Sequence, residues 1–309
     1  RAALAAKLGT DDKNPGVVNL TLLLMRHCDN VNGVSKKHGD VTHIQFPEFK
    51  DKIRSITNGI HTFTWMSDPI KKVLLEYKDK LGDIENDPTL LKNIKTLERD
   101  PALRKKLWEA HLENKKHLAR LLKAWFFDPE VLTISWARRF AGYKRPTLIF
   151  QNTAELIRIA NSAGQLQIII AGKAHPSDVS AAAHIEDMMA KINNLGGQRK
   201  TLRVYFLENY DTYFGKLLTS CSDIWLNNPI PPFEASGTSG MKAIVNGVLQ
   251  LSTLDGWVVE AKDKNIGRIF GYVPKEGELG SESDLKMEED SKALYAALEE
   301  MAKLYYETM

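Results

Sequence analysis

The chain has 309 residues, 43% of them hydrophobic and 26% charged, which is enough apolar material for one large core or two smaller ones. A net charge of +3 is too small to make binding to nucleic acid or to a membrane surface a global property, so any basic site must be local. The two cysteines, Cys28 and Cys221, form no CxxC pair, which argues against a disulfide scaffold and a structural zinc site.

The first sixteen residues carry one Arg and an Ala/Leu run, then acidic and polar residues without a cleavage-site pattern. The longest strongly apolar run, Leu166–Ala171, is far shorter than the ~20 residues that span a bilayer. A cytosolic (cytoplasmic) protein is expected, and the start at Arg1 rather than Met reads as a fragment.

In chain order, the spacing predicts helices over Asn19–Cys28 and Asp100–Trp125, the second capped by Asp100 with Pro101 in its first turn, and few strands between them. From residue 131 onward short apolar runs alternate with helical stretches. The runs are Val131–Ser135, Leu166–Ala171, Thr201–Leu207, Asp223–Asn227 and Val248–Ser252, patterned as parallel strands buried on both faces. The intervening helices are expected over Thr147–Ser162, Asp178–Asn194, Asp211–Ser220 and a short stretch after Thr238. Lys275–Glu289 reads as an exposed loop, and Asp290–Thr308 as an amphipathic helix capped by Asp290. The six tryptophans read as core. Strand–helix alternation of this kind predicts an α/β fold with a doubly wound, Rossmann-like parallel sheet, whose chemistry lies in the strand-to-helix loops.

Two of those loops stand out. Ser135–Arg145 places Arg138, Arg139, Lys144 and Arg145 in one passage directly after a strand. Four cations brought together repel one another unless an anion sits among them, and Gly142 would let the backbone turn tightly; a solvated basic face is the plainer alternative. In Glu234–Ala243, Gly237 and Gly240 let backbone amides approach an anion, Thr238 can cap a helix, and Lys242 follows one turn later on the same face. One turn could thus serve a phosphate and a lysine amine together, as a phosphorylated aldehyde held as a Schiff base requires. The pattern is no Walker A loop, because Ala243 follows Lys242; on its own it also describes an ordinary helix start with a surface lysine.

The strings EASGTSGMK and NGVLQLSTLDGWVVE resemble the cofactor-lysine region of the α-glucan (glycogen, starch and maltodextrin) phosphorylases. RRFAGYKR resembles their substrate-phosphate loop, and VNGVSKKH, TNGIHTFTW, AGKAHPSD and FLENYD resemble further segments in the family's order. The likeness runs from about Val18 to the end and is strongest to the shorter bacterial and archaeal branch. It implies that Lys242 binds pyridoxal 5′-phosphate, with Thr238 and Ser239 around its phosphate, Arg138 in contact with it, and Tyr210 near its ring. It implies that Arg139 and Lys144 hold the substrate phosphate, and that Tyr143, Glu234, Ser236, Gly237 and Asn58 contact the glucosyl hydroxyls. A plain loop residue is the alternative reading for Glu234 and Asn58, and an ordinary buried tyrosine that for Tyr210. His61 and His175 read as structural or polar-loop residues with no metal grouping, and the role of His27 stays open.

The implied reaction is reversible phosphorolysis of terminal α-1,4-glucosidic bonds by inorganic phosphate, giving glucose 1-phosphate with retention. The implied architecture is the two-domain GT-B one. Residues 1–70 would be the remnant of its amino-terminal domain, 71–289 the cofactor- and phosphate-binding domain, and 290–309 a terminal helix. With most of the amino-terminal domain missing, one wall of the cleft is gone and water weakens its charge interactions, so the 309 residues alone are expected to bind cofactor poorly and turn over slowly. A retaining glycosyltransferase using a nucleotide sugar and a non-catalytic glucan-binding subunit remain open, as does a homo-oligomeric state.

Overall fold

The computed structural model of the chain describes residues 9–11, 14–122, 127–195, 200–275 and 284–308. At its centre lies a six-stranded sheet of β5 (Leu132–Ala137), β6 (Leu166–Ala171), β7 (Leu202–Leu207), β8 (Ile224–Asn227), β9 (Leu249–Ser252) and β10 (Gly267–Ile269). All pairings are parallel, and the order across the sheet is β10-β9-β8-β5-β6-β7. The β5–β6 register runs from Leu132 opposite Leu166 to Ala137 opposite Ala171. The chain therefore winds outward from β5 through β6 to β7, then crosses back to β8 and winds the other way.

Both faces of the sheet are covered, as parallel strands without a polar face require. On one side Ile134, Trp136, Ile168, Ile170, Ile224 and Leu226 pack against α5 (Thr153–Ser162), α6 (Val179–Asn194) and α9 (Asp284–Thr308). On the other, Ala137, Ile169, Ala171 and Trp225 pack against α4 (Pro101–Leu122), α7 (Thr212–Cys221) and α8 (Thr238–Ile244). The alternation Ile168/Ile169/Ile170 sends successive side chains into different cores, so a continuous apolar run serves both layers. The expected α/β doubly wound sheet is what forms.

Before the sheet, β1 (Thr10–Asp11) and β2 (Asn14–Val18) pair antiparallel, and β3 (Val31–Gly33) pairs in parallel with β4 (Ile53–Ser55). Helices α1 (Leu20–His27) and α2 (Lys36–Gln45) flank these pairs, and α3 (Asp68–Glu76) joins α4 in a separate small core around Met66, Leu74, Leu81 and Leu103. The caps follow side-chain chemistry: Asn19, Ser35, Asp178 and Asp211 each accept a backbone N–H in the first turn of the helix they precede, and Asp100 accepts from Ala102 and Leu103. No helix among the described residues is long and apolar enough to cross a membrane.

Three expectations change. The helix foreseen from Thr147 is a 3-10 turn, Leu148–Phe150, and then α5, because the Asn152 side chain accepts from Glu155 N and restarts the helix. Asp290 does not cap the last helix; it lies inside α9, and residues 284–289, foreseen as loop, are helical. Its carboxylate turns inward instead, to Arg145 and to the Tyr272 amide. Of the tryptophans, Trp136 and Trp225 are core, Trp65, Trp108 and Trp257 are only half-buried, and Trp125 lies outside the described residues.

Candidate active site

The strand order reverses between β5 and β8, and in an open parallel sheet the crevice beyond the carboxyl ends of two such strands is where ligands fit. The loop after β5 is the basic passage 138–147, and the loop after β8 is 228–237, leading into α8. Hydrogen bonds stitch the two together. Asn228 Oδ1 accepts from Trp136 Nε1 at 2.8 Å, Asn228 Nδ2 donates to Arg145 O at 2.8 Å, and Ile230 N donates to Tyr143 O at 2.8 Å. Gly172, after β6, lets the neighbouring loop pass, since a Cβ there would stand 2.1 Å from Arg138 O.

The four cations do not form one cluster. Arg145, at φ 49°, takes the left-handed conformation, and its buried guanidinium bonds Asp290, Asn228 O and Pro229 O. It is a structural tie between α9 and the β8 loop, removed from any anion site by its own carboxylate partner. Arg139 is exposed. Arg138 and Lys144 remain, and they meet at Glu234: Lys144 Nζ donates to Glu234 Oε2, and Arg138 Nη1 lies 4.0 Å from the same oxygen. Lys144 also sits over the Tyr143 ring, 4.8 Å from its centroid. Burial pulls the pKa of Arg138 down while Glu234 attracts its charge and pulls it back up. Tyr210 stands near enough to Arg138 to feel that charge; burial raises its hydroxyl pKa, and the guanidinium opposes the rise.

Gly237, at φ 89°, and not Thr238, is the residue that opens α8, so the expectation of a Thr238 cap fails: the left-handed turn hands the capping position to the glycine, and no side chain caps this helix. Thr238 and Ser239 are its first two residues, both half-buried, with their early-turn N–H groups outside the intrahelical ladder. Gly240 is needed for packing, since a Cβ there would lie 2.6 Å from Gln250 Oε1 and 3.2 Å from Trp257 Nε1. Lys242 follows one turn after Thr238. Its ammonium lies 3.5 Å from the centroid of the Trp65 ring, and burial lowers its pKa. Asn246, one turn on, donates to both Lys242 O and Trp65 O and so fixes the lysine and its cover together.

Ser236 Oγ and Arg138 Nε are buried without a hydrogen-bond partner among the described residues, as are Gln250 Oε1 and Trp257 Nε1 beside Gly240. Buried polar atoms without partners carry a free-energy cost, so their gathering around one turn fits a site that a polar ligand completes. Asn58 is exposed, on the stretch after β4, and its amide donates to Val34 O. That stretch is anchored by Glu260, whose carboxylate accepts from Thr57 Oγ1 and from the Lys36 amide; Ser35 Oγ donates to Ala235 O, within the Glu234–Gly237 turn. His61 and His175 cap local turns, accepting from Thr64 N and Ser177 N, and His27 is exposed at the end of α1.

Sequence reasoning passed over Trp65, Asp255 and Glu260. Asp255 is fully buried and accepts from Glu234 N and Gly256 N, both at 2.8 Å, and the Trp257 amide donates to Ser236 O at 2.9 Å. An Asp-Gly pair at a strand end was the available signal.

A sequence profile of the carbohydrate phosphorylases matches residues 4–307. Similar relatives include a glycogen phosphorylase of Aquifex aeolicus, 36% identical over 97% of this chain and 45% of its own length. A maltodextrin phosphorylase of Thermococcus litoralis is 36% identical over 94% of this chain and 36% of its own length. A glycogen phosphorylase of Mycobacterium tuberculosis (strain H37Rv) is 33% identical over 84% and 32%. The chain thus spans less than half the length of these relatives. With the profile covering nearly every residue, the chain belongs to the carbohydrate phosphorylase family.

Proposed function

We propose that this chain carries the cofactor side of an α-glucan phosphorylase, which cleaves terminal α-1,4-glucosidic bonds with inorganic phosphate and gives glucose 1-phosphate with retention. The observation that carries the proposal is Lys242: half-buried, 3.5 Å from the Trp65 ring centroid, with its pKa lowered by burial, one helical turn after Thr238. Burial disfavours the charged ammonium, and the neutral amine is the nucleophile that captures an aldehyde.

In this reading Lys242 holds pyridoxal 5′-phosphate through its carbonyl carbon, and the N–H groups of Thr238 and Ser239, with Arg138, receive the phosphate; Tyr210 flanks the ring. When bound, pyridoxal 5′-phosphate supplies a phosphate monoester whose second pKa of about 6 lets it give or take a proton near neutrality. Arg139 and Lys144 bind the attacking inorganic phosphate. Lys144, now engaged by Glu234, exchanges that carboxylate for the incoming dianion, which releases Glu234 toward a glucosyl hydroxyl. Ser236, whose hydroxyl has no partner among the described residues, Gly237, Tyr143 and Asn58 orient the same sugar. The Arg138–Lys144 pair lowers the cost of gathering phosphates beside a cationic, oxocarbenium-like glucosyl centre.

The partners are an α-1,4-glucan, phosphate and glucose 1-phosphate, and the setting is the cytoplasm. The sheet domain would form one wall of a two-domain GT-B cleft, with residues 1–70 belonging to the facing domain, 71–289 to the sheet domain and 290–309 to its terminal helix. The test uses the polypeptide that contains this chain. Incubation with pyridoxal 5′-phosphate, borohydride reduction and peptide mapping should give a phosphopyridoxyl group on Lys242, and maltodextrin with phosphate should yield glucose 1-phosphate. Absence of the adduct, or glucosyl transfer from a nucleotide sugar instead, overturns the proposal.

A further inference from the structure

The turn after β9, Thr253–Trp257, packs against the turn 234–237, which is proposed above to hold the sugar. Asp255 Oδ2 accepts from Glu234 N at 2.8 Å, and Asp255 Oδ1 accepts from Gly256 N at 2.8 Å. Trp257 N donates to Ser236 O at 2.9 Å. Between them Gly256, at φ 55°, comes so close that a Cβ would stand 2.3 Å from Ser236 O. Asp255 is fully buried, yet no cation lies within ion-pair distance of its carboxylate among the described residues; both oxygens are spent on backbone amides. A buried carboxylate without a counter-ion is a costly way to receive two N–H groups unless their placement matters. What it places is the backbone of Glu234, whose side chain meets Lys144 and Arg138.

We infer that Asp255 is a positioning residue for the sugar subsite: by fixing the Glu234 amide, and with Gly256 seating Ser236, the β9 turn sets where Glu234 and Ser236 meet the glucosyl hydroxyls. This rests on the reading of Glu234 and Ser236 as sugar contacts. The cofactor lysine has an anchor of its own, through Asn246 and Trp65, besides the close approach of Gly240 in its helix to Trp257.

The isosteric Asp255→Asn variant tests it. Its carboxamide offers one acceptor oxygen, and its NH₂ faces the other amide donor, so one of Glu234 N and Gly256 N loses its partner. In the polypeptide that contains this chain, loaded with pyridoxal 5′-phosphate, the KM for maltodextrin should rise about ten-fold, equivalent to ~1.4 kcal/mol. The KM for phosphate should stay within about two-fold, and borohydride should still label Lys242 fully. Gly256→Ala, which displaces Ser236 without touching the carboxylate, should show the same split and covers the case in which Asp255→Asn does not fold. Equal KM values for maltodextrin in both variants and the wild type overturn the inference, as does a parallel rise for phosphate and loss of label, which would mark general disorder. An unlabelled, inactive wild type is a different result: it defeats the proposed function itself.

Discussion

The most exposed physical prediction concerns a polar cluster at the opposite end of the sheet. Asp223, just before β8, accepts from His111 Nε2 at 2.7 Å, Lys115 Nζ at 2.7 Å and Thr133 N at 2.7 Å. Lys115 is wholly buried and, among the described residues, reaches only one other close acceptor, Val131 O at 2.9 Å, with Tyr305 Oη at 3.5 Å. Asp223→Ala would leave that ammonium without its counter-charge, a change that costs about 3–5 kcal/mol, out of a total stability of about 5–15 kcal/mol for a typical domain. Lys115→Met combined with Asp223→Leu removes both charges and should cost less than Asp223→Ala alone, because no buried ion is then left unpaired. Urea unfolding followed by tryptophan emission reads this directly, since the Trp108 ring lies 5.5 Å from the His111 ring. A loss under ~1 kcal/mol for Asp223→Ala, or a double variant costing the sum of its parts, would refute the reasoning. The pH dependence follows the same logic. Burial pushes the Asp223 carboxyl up, but Lys115 and His111 outweigh it and hold the pKa below the ordinary value. The stabilisation is therefore complete above the unfolded carboxylate pKa of about 4 and is lost as pH falls through the lower folded value.

Three further outcomes are expected. Asp290→Ala should destabilise by ~3 kcal/mol in thermal or urea melts, because the buried Arg145 guanidinium then keeps, among the described residues, only Asn228 O and Pro229 O. Glu234→Gln should tighten inorganic phosphate about ten-fold at low salt, since it removes the carboxylate that Lys144 contacts and that lies 4.0 Å from Arg138; calorimetric titration showing unchanged or weaker binding would contradict this. Asp255 titrates in the opposite sense to Asp223. Burial raises its pKa to about 7, so the folded chain binds an extra proton between about pH 4 and that value, and stability falls as pH rises through this window. Asp255→Asn lacks this dependence, so the wild type's melting-temperature advantage over it should shrink between pH 4.5 and 7; an advantage that grows would be contrary.

The sheet was legible because its strands are buried on both faces: a run such as Leu166–Ala171 is apolar but for Gln167, and α6 and α7 are each announced by an Asp cap. The short strands β3, β4 and β10 were not, since three residues carry no periodicity. In the site, Gly237, Lys242, Arg138 and Lys144 could be read from spacing and from residue type. The separation of Arg145 from the other cations could not, because its partner Asp290 is 145 residues away and sits mid-helix. Asp255 and Glu260 escaped notice for a related reason: they act on backbone amides and a hydroxyl of remote segments, and such pairings leave no local pattern.

The bonds from Ser35 to Ala235, and from Lys36 and Thr57 to Glu260, join residues 200, 224 and 203 positions apart. A ribosome adding roughly 5–20 residues per second needs roughly 10–40 s to make that interval. Once clear of the exit tunnel, the β3–β4 unit waits with its anchoring hydroxyls and amides facing water. This corner of the molecule is thus completed only once residue 260 has been made, and a nascent chain arrested before the Ala235 codon would present it, unmoored, to chaperones and proteases.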